Sequence, residues 1–217
     1  MTLQKLADAM IEGDVETGKS EAQKALDEGY GPNDILDNGV LAGMEVVSER
    51  FKNYEMYIPE VLSSAKVMHE VMDIIRPKLV SESDESSKGT VVLGTVEGDM
   101  HDIGKNLVGL MLEGAGFKVI DIGIDQPAQS FVNAVKKEKP EVVGMSALLT
   151  TTAPKIKEVL DALEKEGLKD GVKTIAGGAV IDQKFVDENG VDAYGPSATD
   201  AIDITQELVK EVRNNAS

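Results

Sequence analysis

Thr90-Val91-Val92-Leu93-Gly94-Thr95-Val96 runs directly into Glu97-Gly98-Asp99-Met100-His101-Asp102-Ile103-Gly104-Lys105-Asn106. The first seven residues are mostly apolar or β-branched and read as a buried strand. A polar loop follows and gives way to a helical stretch over 103–115. The same change of pattern recurs down the chain. Strand-like runs fall at Lys118–Ile122, Glu141–Met145, Lys173–Ala176 and Ala193–Tyr194. Helical stretches separate or follow them near 128–138, 153–166, 181–189 and 198–213. Strands alternating with helices imply a parallel sheet covered on both faces, with right-handed connections. The predicted fold class is α/β, a doubly wound five-stranded sheet in flavodoxin-like order 2-1-3-4-5.

Upstream of Thr90 the pattern is helical only. Leu3, Leu6, Ala7 and Met10 share helical spacing up to Gly13. Asp14 is placed to cap a second helix carrying Val15, Ala22, Ala25 and Leu26, which ends near Gly29 and Gly31. Pro32 opens a third helix with Ile35, Leu36, Val40, Met44, Val47 and Phe51. A fourth runs from Pro59 through Val61, Leu62, Ala65, Met68, Met72 and Ile75 to Pro77. Short loops between four helices favour an antiparallel bundle. Between bundle and sheet, Ser81–Gly89 (SESDESSKG) has no apolar residue and reads as a linker. The expected organisation is a helical domain over 1–80, a linker over 81–89 and an α/β domain over 90–217.

The 217 residues hold 39 acids against 22 bases, a net charge of −17. Nucleic acid and anionic membrane are polyanions, so neither is an expected partner. There is no cysteine, which excludes disulfides, thiolate metal sites and thiol nucleophiles. No apolar run is long enough for a transmembrane helix, and a cytoplasmic location is expected.

In a doubly wound sheet, ligands bind beyond the carboxyl ends of the strands. The residues after the strands therefore carry the chemistry. His101 follows the first strand, with Asp99 two residues before it. A carboxylate at that distance can hold one ring nitrogen and leave the other as a base or metal ligand. A loop histidine satisfied by its neighbour is the plainer alternative. Ser146 to Thr152 follow the third strand, Gly177-Gly178 the fourth, and Gly195 to Ala198 the fifth. The paired glycines permit close approach of a flat ligand, or only a turn. Thr150 to Thr152 could equally cap the helix that Pro154 introduces. His69, the other histidine, sits on the fourth helix and reads as structural.

The spacing of these pieces narrows the choice. Asp99-x-His101-x-x-Gly104, then 105–145, then Ser146-x-Leu148, then 149–176, then Gly177-Gly178 resembles the signature of cobalamin-binding domains of the methionine-synthase type. Tyr57-Ile58-Pro59-Glu60-Val61-Leu62-Ser63-Ser64-Ala65-Lys66-Val67-Met68 is similar to the last helix of the four-helix cap that precedes that domain in cobalamin methyltransferases. The likeness spans nearly the whole chain and resembles the stand-alone corrinoid proteins of methanogen and acetogen methyltransferase systems.

That resemblance implies a cobalamin or related corrinoid (a methylcobamide) with its cobalt ligated from below by His101. It implies a relay from His101 through Asp99 to the Thr152 hydroxyl, and a slot for the cofactor's nucleotide tail. Ser146, Leu148, Thr150, Gly177, Gly178 and Ala198 would line the slot. Gly98, Met100, Asp102, Ile103 and Gly104 belong to the same motif, and Tyr57 matches an aromatic position of the cap. The implied function is a non-catalytic methyl carrier of one-carbon metabolism, its cobalt cycling between Co(I) and methyl-Co(III). The implied partners are a substrate:corrinoid methyltransferase, a methylcorrinoid:acceptor methyltransferase and a corrinoid reductive activator. Asp99 is expected to tune the ligand without binding metal, and Ser81–Gly89 to act as a hinge. Methylamines, methanol, methoxylated aromatics and quaternary amines are all donors used by proteins of this shape. Two alternatives share parts of the pattern. Cobalamin-sensing regulators add a DNA-binding helix pair and a tryptophan in the cap, and mutase small subunits lack the cap. A cofactor-free flavodoxin-like domain would make the spacing coincidence.

Overall fold

The computed structural model describes residues 2–79 and 87–215. Residues 81–86 of the expected linker lie outside the described residues. Backbone contacts divide the chain into a helical unit and an α/β unit, breaking between Ser87 and Lys88.

The helical unit begins with α1 (Thr2–Glu12) and α2 (Val15–Asp27). Asp14 caps α2, its carboxylate accepting from the Thr17 N–H at 3.1 Å and the Thr17 hydroxyl at 2.7 Å. The third predicted helix is one rod of three parts: α3 (Pro32–Ile35), a π-helical turn over Leu36–Leu41, and α4 (Ala42–Lys52). The π turn was not visible in the spacing, because it inserts a wider ring without interrupting the apolar positions. Gly39 and Gly43 face α1 there. A Cβ would lie 2.6 Å from Leu6 Cδ2 at Gly39 and 2.6 Å from Met10 Cβ at Gly43, so α1 packs against bare backbone. The last helix, α5 (Ile58–Leu79), passes through Pro77 where a stop was expected. Pro77 falls in the final turn, where its missing N–H costs the helix a single hydrogen bond, the one to the carbonyl four residues back. Val61, Ala65, Met68, Val71 and Ile75 form its buried stripe. Leu62 is 54 % exposed, one residue off that stripe and so about 100° around the helix.

In the α/β unit the strands are β1 (Thr90–Thr95), β2 (Lys118–Asp121), β3 (Val142–Ser146), β4 (Lys173–Gly177) and β5 (Ala193–Tyr194). The sheet is parallel throughout, in order β2-β1-β3-β4-β5. The helices are α6 (Ile103–Gly114), α7 (Ala128–Glu138), α8 (Pro154–Lys165), α9 (Gln183–Asn189) and α10 (Ala198–Asn215), with a 3-10 turn over Lys169–Gly171. Phe131, Val132 and Val135 of α7, Ile156, Val159, Leu160 and Leu163 of α8, and Val186 of α9 bury one sheet face with Val143, Met145 and Ala176.

The two-residue strand β5 is too short to be held by its ladder alone. Asp192, just before it, supplies a clamp. Its Oδ2 accepts from the Thr174 N–H (2.8 Å), the Thr174 hydroxyl (2.6 Å) and Lys169 Nζ (2.6 Å). Burial pushes the Asp192 carboxyl up, but the bonds from Lys169 and Thr174 outweigh it and hold it below its ordinary value of 3.8. A lowered folded value means stability that is full above the ordinary value and is lost as pH falls through the lowered one. Asp192→Ala is therefore expected to destabilise by about 1–3 kcal/mol at neutral pH. The gap between wild type and variant, measured by denaturant unfolding, should narrow as pH drops below 3.8. A gap that stays constant across that range would contradict the clamp.

Candidate functional site

The other sheet face is covered by α6 and α10 but is left open toward its carboxyl edge. Strand register puts Leu93, Gly144 and Ile175 in one row, and Thr95, Ser146 and Gly177 in the row beyond it at the carboxyl edge. A cavity of about 610 Å³ opens over these rows, walled also by α6, the start of α10 and the turns after β4 and β5. That volume is in the range of small-molecule and cofactor sites. Glycine makes the floor thin. A Cβ on Gly144 would lie 2.3 Å from Leu93 Cδ2. The wall at Gly177-Gly178 is main chain packed on main chain, since a Cβ there would meet Gly195 O at 2.8 Å and Ala147 O at 2.0 Å respectively.

At the mouth stands His101, its side chain about half exposed. Its Nδ1 lies 2.7 Å from Asp99 Oδ1, which also accepts the His101 N–H at 3.1 Å. Asp99 Oδ2 accepts the Leu148 N–H and the Thr152 hydroxyl, each at 2.7 Å. Four donors saturate the four lone-pair positions of a carboxylate. Asp99 is fully buried. Burial alone would raise its pKa, but the bonds from Thr152, Leu148 and His101 outweigh it and hold the carboxyl well below the usual range. An ionised carboxylate can only accept, so the proton between the two residues sits on His101 Nδ1, and Nε2 is the ring nitrogen left free of Asp99.

Of the residues singled out from the sequence, Met100, His101, Asp102, Ile103, Gly104, Ser146, Leu148, Gly177, Gly178 and Ala198 line the cavity. Asp99 and Thr152 lie behind His101. Gly98 precedes them in a left-handed conformation, φ +79°. Thr150 is exposed and forms no part of the cavity wall. Tyr57 stands 69 % exposed at the start of α5 in the helical unit. Its N–H donates to Glu60 Oε2 at 2.7 Å. His69 is exposed on α5.

Sequence reasoning missed Leu93, Gly144 and Ile175, which reach the cavity through strand register. It also missed Lys105. This side chain lines the cavity yet is almost fully buried, paired to Asp121 at the end of β2 and to Asn106 Oδ1 at 2.7 Å. A buried ammonium requires such partners, and the pair ties the start of α6 to β2.

The donor set discriminates between kinds of metal. Among the described residues, no group of three or more His, Asp or Glu gathers that could hold a bare ion. A single imidazole nitrogen beside a cavity instead suits a metal whose other positions are filled by its own macrocycle. Met100, Ile103 and Leu149, exposed apolar side chains on the two loops joined by Asp99, suit a flat apolar ring beside the histidine. A Cβ on Gly104 would meet nothing within 4 Å, so the cavity is open past the start of α6. The residues present thus fit a corrinoid.

Comparison with known proteins agrees. Residues 89–203 match the family model of a B12 binding domain, and residues 2–76 match a second B12 binding domain model. The trimethylamine corrinoid protein of Methanosarcina barkeri is 42 % identical over 199 residues, 91 % of this chain and 92 % of the relative. A corrinoid protein of Desulfitobacterium hafniense is 40 % identical over 209 residues, 95 % of this chain and 97 % of the relative. Among solved structures, one chain of the methanol:cobalamin methyltransferase complex of Methanosarcina barkeri superposes with a TM-score of 0.90 at 34 % identity, covering 96 % of this chain and 80 % of that one. With its paired B12 binding domains and near full-length identity to these relatives, the chain belongs to the family of corrinoid proteins of methyltransferase systems.

Proposed function

We propose that this chain is a methyl carrier, accepting a methyl group from a substrate-specific methyltransferase and delivering it to a second methyltransferase. The observation that carries the reading is His101, held by a saturated carboxylate at the mouth of a glycine-floored cavity. When bound, the corrinoid supplies the cobalt that takes and releases the methyl group. The chain's own residues do the rest. His101 Nε2 would offer one nitrogen to the cobalt. Asp99 fixes the ring orientation and keeps the proton on Nδ1, while Thr152 and the Leu148 N–H keep Asp99 ionised. Ser146, Leu148, Gly177, Gly178 and Ala198 wall the cavity that would receive the nucleotide tail. Met100 and Ile103, exposed beside the imidazole, would be covered by the bound ring and exclude water there.

Partners follow from the family. Relatives named for trimethylamine and dimethylamine are 42 % and 39 % identical, and a structural relative belongs to a methanol:cobalamin methyltransferase complex. The proposed donors are accordingly methylated amines or methanol, each presented by its own methyltransferase. No helix among the described residues is long and apolar enough to cross a membrane. The test is transfer of label. The reduced holoprotein, given a trimethylamine or methanol methyltransferase and labelled donor, should retain labelled methyl stoichiometric with the chain and yield it to a second methyltransferase. Cofactor bound without label retained from any such donor would overturn the carrier reading.

A further inference from the structure

The loop carrying His101 is held by two residues outside the Asp99 relay. Thr95, the last residue of β1, is fully buried, and its hydroxyl donates to the His101 carbonyl at 3.0 Å. Its own main chain is anchored in turn: its N–H donates to Gly123 O at 3.0 Å, and its carbonyl accepts from the Gln126 N–H at 2.9 Å. Asp125, in the loop between β2 and α7, has φ +53°. Aspartate tolerates this left-handed conformation because its short side chain bonds locally. Its Oδ1 accepts the Gly98 N–H at 2.6 Å, and its N–H donates to the Asp99 carbonyl at 3.0 Å.

We infer that Thr95 and Asp125 are positioning residues that clamp the Gly98–His101 backbone and so set how readily His101 engages cobalt. The inference rests on His101 being the lower ligand. Its physical basis is where the loop's polar groups go. The Gly98 N–H and Asp99 carbonyl go to Asp125, the Asp99 N–H to Val96 O, the His101 N–H to Asp99 Oδ1 and the His101 carbonyl to Thr95. Main chain is thus fixed on both sides of the His101 Cα. The imidazole has only its side-chain torsions left to move it, and the ligand is preorganised before a cofactor arrives.

The test uses four variants of the full chain. Thr95→Val removes the donor at nearly constant volume, and Thr95→Ser restores it. Asp125→Gly removes the carboxylate while keeping the left-handed backbone, and Asp125→Asn keeps an acceptor there. The first readout is nitrogen coupling in the electron paramagnetic resonance of the cobalt(II) cobalamin-loaded protein, which gives the ratio of histidine-bound to histidine-free cofactor. The second is amide hydrogen exchange over 97–102 in the apoprotein, with α8 amides as internal control. Thr95→Val and Asp125→Gly should each lower the ratio and speed loop exchange about five- to tenfold, the effect of one lost buried hydrogen bond, while the Ser and Asn variants stay near wild type. Unchanged ratio and unchanged loop exchange would overturn the clamp, as would equal acceleration in α8, which marks general destabilisation. Asp125→Gly keeps the test decisive if Thr95→Val fails to fold. Failure of the underlying reading looks different: the wild type would show no nitrogen coupling that His101→Ala abolishes.

Discussion

His101→Ala is expected to abolish the histidine-ligated absorption spectrum of the corrinoid-loaded protein while leaving the fold intact. The side chain is half exposed and makes its hydrogen bond to Asp99, which keeps three other donors when the ring is gone. Stability should therefore fall by no more than about 3 kcal/mol, the top of the range for one hydrogen bond to a charged group. The cofactor effect should be far larger, because His101 Nε2 is the nitrogen offered at the cavity mouth and no cluster of other ligating side chains surrounds it among the described residues. Visible spectra of wild type and variant, with thermal unfolding in parallel, read both quantities. An unchanged spectrum would remove His101 from the metal.

Gly178→Ala is the second large effect. The backbone there has φ +129°, which side chains rarely adopt, and the added Cβ would sit 2.0 Å from Ala147 O. Main chain must move on one side or the other. Both sides matter, because Gly178 lines the cavity and Ala147 lies between Ser146 and Leu148, which also line it. Leu148 in turn donates its N–H to Asp99. The variant should lose more than about 3 kcal/mol of stability, as overpacked and strained core sites do, and should fail to retain corrinoid. Gly190→Ala supplies the comparison. Gly190 has φ +76° with nothing within 4 Å of its would-be Cβ, so strain acts without overlap and the cost should be about 1 kcal/mol. Equal unfolding midpoints for the two variants would show that contact with Ala147 O is not what demands glycine at 178.

What could be read without coordinates was whatever consecutive residues decide among themselves. The run Thr90–Val96 announces a buried strand, and the change to helical spacing at Ile103 announces α6. Asp14 marks the cap of α2, and Val61, Ala65, Met68 and Ile75 mark the buried stripe of α5. Asp99 and His101 are two residues apart, so their contact is local as well. Each of these follows from propensity, periodicity or a span short enough for the chain to close on itself. The partnership of Asp99 with Thr152 was available only through family resemblance, because residues so far apart in the chain meet only when β1 and β3 pair.

The rest was decided by tertiary structure. Gly144 looks like a weak point in a strand until register sets it between Leu93 and Ile175, where it becomes the floor of the cavity. Asp125 looks like a polar loop residue until the loop after β2 comes back against the loop after β1. Lys105 looks like a surface charge until Asp121 buries it in an ion pair. By itself the sequence determined which segments are strands and helices and which loops hold reactive side chains, because hydrophobic periodicity and capping are local. Which side chains share a cavity, and how the ligand loop is pinned, depended on register and on crossovers, and those are settled only when the whole sheet assembles.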